Sequence, residues 1–149
     1  MTRGALTVAV GTAVLAMAGC GGEDQLTQAE LRQQANAICA RYDKQIDALP
    51  VPSAVEEIPA YVTKAAPLVE DEIEALKELS PPDEDQEAFD QMIAEEEKTL
   101  TAGRALSDAA EKGDDAAVEK ALNEGNVSSN RADEHARTLG LTECVDEGE

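Results

Sequence analysis

The chain of 149 residues carries 32 acidic and 12 basic side chains, a formal charge of −20, with one histidine, three cysteines and no tryptophan. That balance argues against nucleic acid or anionic lipid as a partner, and aromatic residues limited to Tyr42, Tyr61 and Phe89 argue against a large aromatic-lined pocket. The length suits one hydrophobic core and is short for two.

Residues 1–19 read as an export signal: Arg3 precedes a segment, Ala5 to Met17, that has neither charge nor proline. Its length fits a signal h-region rather than a membrane span of about 20 apolar residues. Removing 1–19 takes away one base and no acid, which leaves −21 on residues 20–149. Met17-Ala18-Gly19-Cys20 resembles the bacterial lipobox, although Met17 stands where that motif usually has leucine. The resemblance implies a diacylglycerol on Cys20, which would become the first residue, and a lipid-anchored protein on the extracytoplasmic face of the cell membrane. Ala16-Met17-Ala18 offers a second cleavage pattern, which would release a secreted protein beginning at Gly19. Lipidation explains the odd thiol among three, because it leaves Cys39 and Cys144 as a pair. Their bond would close a loop of roughly 100 residues, removing about 4.7 kcal/mol of unfolded-chain freedom on the entropy model.

After a tether at 20–26, Thr27 and Glu30 form a capping box that opens a helix over 27–48, with Leu31, Ala35, Ile38, Tyr42, Ile46 and Leu49 on one stripe. Pro50 and Pro52 end it, and the loop to Pro59 contains one short turn that Ser53 and Glu56 are placed to cap. A second helix spans 60–79, with Val62, Ala65, Val69, Ile73 and Leu76 inward and a kink expected at Pro67. A third covers 83–111 and stops at Gly113. The fourth, capped by Asp114 or Asp115, continues over 115–139 because Val118, Leu122, Gly125, Ser129, Ala132, Ala136 and Leu139 keep one phase, and Gly140-Leu141 resembles a Schellman ending.

These elements predict an all-α domain over 27–145, an antiparallel up-down four-helix bundle stapled by one disulfide, with an acidic tail at 146–149. Counting outward from Gly113 sets residues on the third and fourth helices level when their numbers add to about 228. Gly103 then faces Gly125, which predicts close helix approach and strong overpacking in Gly103→Leu. The same count places His135 near Glu96, with Arg131 one turn away, a candidate polar cluster with pH sensing as its chemistry. The acidic runs Glu70-Asp71-Glu72 and Glu95-Glu96-Glu97 read as solvated helix faces.

No nucleophile elbow, phosphate loop or H-E-x-x-H sequence is present, and Ala132 stands where a Glu-x-x-His di-iron motif ending at His135 requires glutamate. The sequence therefore predicts no catalytic residue, cofactor or metal site. Ala35-Asn36-Ala37-Ile38-Cys39, the Leu49-Pro50-Val51-Pro52 break, Leu76 to Pro82, and Ala136 to Cys144 resemble small uncharacterised helical lipoproteins of actinobacteria. That resemblance implies an exported helical fold and a Cys39–Cys144 bridge, and carries no activity. The leading expectation is an envelope interaction or scaffold module, with Val51, Val55 and Ile58 in the proline-stiffened loop as a partner-binding site. The alternative is a binding protein for a small cationic solute or metal ion.

Overall fold

The computed structural model describes residues 25–146, so the expected signal, Cys20 and the last three residues of the acidic tail lie outside the described residues. Four helices form a bundle: α1 (Gln28–Ile46), α2 (Ile58–Lys77), α3 (Asp83–Lys112) and α4 (Asp115–Leu139). Short 3-10 turns occupy Val55–Glu57 and Thr142–Cys144, and there is no strand among the described residues. None of the helices is long and apolar enough to cross a membrane.

The helix ends follow local chemistry. Thr27 Oγ1 accepts from the Glu30 N–H while Glu30 Oε2 accepts from the Thr27 N–H at 2.9 Å, which closes the capping box of α1. Pro59 sits in the first turn of α2, where a missing N–H costs nothing, and α2 continues through Pro67. Asp83, Glu84 and Asp85 occupy the first turn of α3, where carboxylates oppose the positive end of the macrodipole. Both α3 and α4 end in Schellman motifs. Gly113 (φ 63°) and Gly140 (φ 74°) take the left-handed position, with Asp114 N–H donating to Ala109 O at 3.0 Å and Leu141 N–H to Ala136 O at 2.8 Å. Asp114 then accepts from the Ala117 N–H at 3.1 Å to start α4.

The core gathers Leu31, Ala35 and Cys39 from α1, Ile73 and Leu76 from α2, Phe89, Met92 and Ile93 from α3, Ala136 and Leu139 from α4, and Leu141 beyond it. Leu31 and Leu141 are fully buried, each contributing about 1.5–3 kcal/mol by removing its apolar surface from water. Named contacts fix which levels meet. Leu26 N–H donates to Ser80 O at 2.8 Å, joining the residue before the α1 cap to the loop after α2. Between α2 and α3, Lys77 pairs with Glu97, and Arg104 pairs with Glu70 at 2.8 Å. Arg32 Nε donates to Leu139 O at 2.8 Å, which ties α1 to the end of α4.

At about 45 and 38 Å, α3 and α4 are longer than α1 and α2, at about 29 and 30 Å, and their shared seam is the most extensive in the bundle. Where α4 has only α3 beside it, the buried stripe is narrow and made of small residues: Ala102, Ala109, Val118, Ala121 and Ser128. This corrects the expected phase, since Ala121 lies inward and Leu122 is 46% exposed. A single neighbour covers less than the 100° stripe that a core-facing helix requires. The expected glycine contact is corrected too. A Cβ on Gly125 would meet Ala102 Cβ at an ordinary 3.5 Å, whereas one on Gly103 would meet nothing within 4 Å.

Candidate functional site: an acidic cleft beside the disulfide

A cleft of about 390 Å³ opens where α1, α2, α3, α4 and the segment after Leu139 converge. Its apolar lining comes from the disulfide, Val69, Ile73, Leu76 and Met92. Six carboxylates join that lining, Asp43, Asp47, Glu72, Glu96, Asp133 and Asp146, and no lysine, arginine or histidine does.

Each inward acid sits where the helix repeat calls for an apolar residue. Glu72 falls between Val69 and Leu76 on the buried stripe of α2; Glu96 follows Phe89, Met92 and Ile93 at the i+7 position; Asp133 adjoins Ala132 and Ala136. Burial pushes the Glu72 carboxyl up to about 8, and the negative charges of Asp43 and Glu96 push in the same direction. Glu96 rises to about 7 through burial, then through Asp133, Asp43 and Asp146. Asp43 rises to about 6 through burial, then Asp47, Asp146 and Glu143. Asp133 is buried and held from two sides: its Oδ1 accepts from the Asp146 N–H at 3.0 Å and its Oδ2 from Arg137 at 3.3 Å. The chain after α4 is thereby fixed across the cleft, with the Glu143 N–H donating to Asn36 Oδ1 at 2.9 Å on α1.

Cys39 and Cys144 are disulfide-bonded, with their Cα atoms 5.2 Å apart. Glu96, Arg131 and His135 do not assemble as the expected cluster: the charged neighbours that move Glu96 are all carboxylates, and no hydrogen bond or ion pair joins the three among the described residues. Arg131 instead borders an open groove between α3 and α4, with Lys98, Ala102 and Val127. In the 49–59 loop, Val51 is 81% and Val55 42% exposed, while Ile58 is half-buried as the first residue of α2. The loop is closed by Ser53, whose N–H and hydroxyl donate to Glu57 Oε2 at 2.7 and 3.0 Å; Glu57 takes the place expected of Glu56, because the turn is capped at Ala54, one residue later than expected.

Reading acidic runs as solvated faces missed Glu72 as a lining residue, and Asp43, Asp47, Asp133 and Asp146 were not singled out at all. The signal was phase: Glu72 and Asp133 interrupt apolar stripes that the same sequence defines. A site of this kind presents negative charge above an apolar floor, which suits a cation with a hydrocarbon body. No group of three or more His, Cys, Asp or Glu converges closely enough to hold a metal ion among the described residues. Comparison with protein-family models, with curated proteins and with solved structures finds no match.

Proposed function

We propose that this is a lipid-anchored extracytoplasmic protein, held at the cell membrane through Cys20, whose antiparallel up-down bundle binds a small organic cation in the acidic cleft. The run directions are supported by the pairs Lys77–Glu97 and Glu70–Arg104, whose numbers rise on one helix as they fall on the other. The observation that carries the binding role is the cleft's composition, six carboxylates and no base around an apolar floor. Asp43, Glu72 and Glu96, held partly protonated by burial and mutual repulsion, have no ion-pair partner among the described residues, and a bound cation supplies one. An organic ammonium fits better than a bare metal ion, which needs converging oxygen ligands. The envelope location rests on the lipobox resemblance, and binding requires no catalytic step.

Thermal unfolding with a panel of alkylammonium ions, polyamines and calcium tests the reading. A ligand of the folded state raises Tm by mass action. The expected result is a Tm increase with an alkylammonium that persists near 0.15 M salt, where exposed charges are screened beyond about 8 Å, and that is lost in Glu96→Gln. A panel without effect, or an effect abolished by salt, refutes it.

Val51 and Val55 favour a second reading, an interaction or scaffold module with an envelope protein as partner, since exposed apolar side chains on a braced loop suit recognition. Capture of an envelope protein that survives both Val51→Asp and Ile58→Asp refutes the loop as its site.

A further inference from the structure

The segment from Gly140 to Asp146 has an unusual mechanical position. The close backbone neighbours of α1 are α2 and this segment, while its direct backbone approach to α3 and α4 is slight. Two links secure the segment to α1, Asn36 to the Glu143 N–H and the Cys39–Cys144 bond, and Arg32 to Leu139 O ties α1 to the last residue of α4 just before it. The two hydrogen bonds cross between part-exposed groups, so the covalent link is the one that water does not replace. Together α1 and the segment contribute Cys39, Asp43, Ile46, Asp47, Cys144, Val145 and Asp146 to the cleft, nearly half its lining. The disulfide itself belongs to that lining, and its sulfurs are unequally placed: Cys39 is 1% exposed, whereas Cys144 is half-buried.

We propose that the Cys39–Cys144 bond is a redox latch, opened by a small dithiol that enters through the cleft, and that its reduction frees α1 and the C-terminal segment while α2, α3 and α4 stay folded. The thiolate of the dithiol attacks the more accessible Cys144 Sγ, and a new S–S bond forms as the Cys39–Cys144 bond breaks. Cys39 departs as a thiolate and takes a proton. The second sulfur of the reductant then attacks the mixed disulfide, which releases Cys144 as a thiol and leaves the dithiol oxidised to its cyclic disulfide. With the bond intact, α1 can leave the bundle only if the segment leaves with it, including fully buried Leu141 and the Asp146 bond to Asp133. With the bond broken, opening α1 no longer requires displacing Leu141, so its local opening becomes much less costly than global unfolding. The structural latch stands independently of any ligand; its effect on cation binding rests on the function proposed above.

Native-state hydrogen exchange on the full chain, oxidised and after dithiothreitol, tests the latch. The expected result is that amides of α1 exchange at least about tenfold faster after reduction, while those around Met92, Ala102 and Ala121 change by less than about threefold. A double variant, Cys39→Ala with Cys144→Ser, is expected to reproduce the reduced pattern without any reductant. Equal acceleration across all four helices, or an unchanged α1, overturns the proposal. An alkylammonium ion added to both forms separates the two claims. Selective loss of α1 protection with no cation effect in either form leaves the latch standing and removes the binding role, whereas a cation that binds both forms equally while α1 is unaffected removes the latch and keeps the binding role.

Discussion

Replacing Glu72 by glutamine tests whether the cleft exists at the expense of stability. In the folded protein burial raises this carboxyl from 4.5 to about 8, so the native state holds a proton that the unfolded chain releases. With more protons bound by the native state, stability falls as pH rises. The favourable contribution is complete below 4.5 and gone once pH passes about 8. At about 1.36 kcal/mol for each pH unit the full interval amounts to nearly 5 kcal/mol, and halving it for a cleft open to solvent on one side leaves about 2 kcal/mol. Glu72→Gln keeps the shape and cannot ionise. Thermal unfolding by circular dichroism should therefore place its Tm about 8 °C above the parent near pH 8.5 and within about 1 °C of it near pH 4.5. A Tm difference that is the same at both pH values, or a less stable variant near pH 8.5, would refute the argument that ionised Glu72 is a cost.

The remaining predictions concern packing and turns. Gly140→Ala should cost about 2–3 kcal/mol, because the left-handed backbone penalises a side chain and the new Cβ would meet Arg32 Nε at 2.9 Å, displacing its bond to Leu139 O. Gly113→Ala meets open space and should cost only about 1 kcal/mol in chemical denaturation. Gly103→Ala should raise stability by about 0.5–1 kcal/mol, since it adds helix propensity without a clash; a loss measured in urea would mean that α3 and α4 approach there more closely than described. Leu31→Ala, at a fully buried position in the core, should cost about 2–5 kcal/mol in the same assay.

Helix existence and ends were legible because punctuation is local. Thr27 with Glu30, Pro50, Ser80-Pro81-Pro82, Gly113 and Gly140 each act within one turn of themselves, and the described helices begin and end within about two residues of the expected places. Continuity of α4 across the poor helix formers between Asn123 and Asn130 was expected from an unbroken stripe, and the helix is continuous although the stripe runs through Ala121 and Ser128 rather than Leu122 and Ser129. What resisted reading were the properties set by which helix lies beside which. Leu122 is exposed because α4 packs there on α3 alone, and Gly103 has no close neighbour because the contact with Gly125 runs through Ala102. The acidic cleft was hidden by a correct generality applied to the wrong residues: most charged positions among the described residues do face water, whereas Glu72, Glu96 and Asp133 stand on stripes that otherwise carry apolar side chains.

The unequal sequence distances in this fold also order its assembly in time. Contacts between α3 and α4 spread outward from a single turn at Gly113-Asp114, so they form with little loop closure and early. The partners of α1 include Cys144, 105 residues away from Cys39, and a chain made from its N-terminus presents Cys39 long before that partner exists. During the interval the nearest thiol to Cys39 is Cys20. Acylation of Cys20 ahead of folding would thus leave Cys39 a single thiol to find, and biogenesis would choose the correct bridge by the order of events.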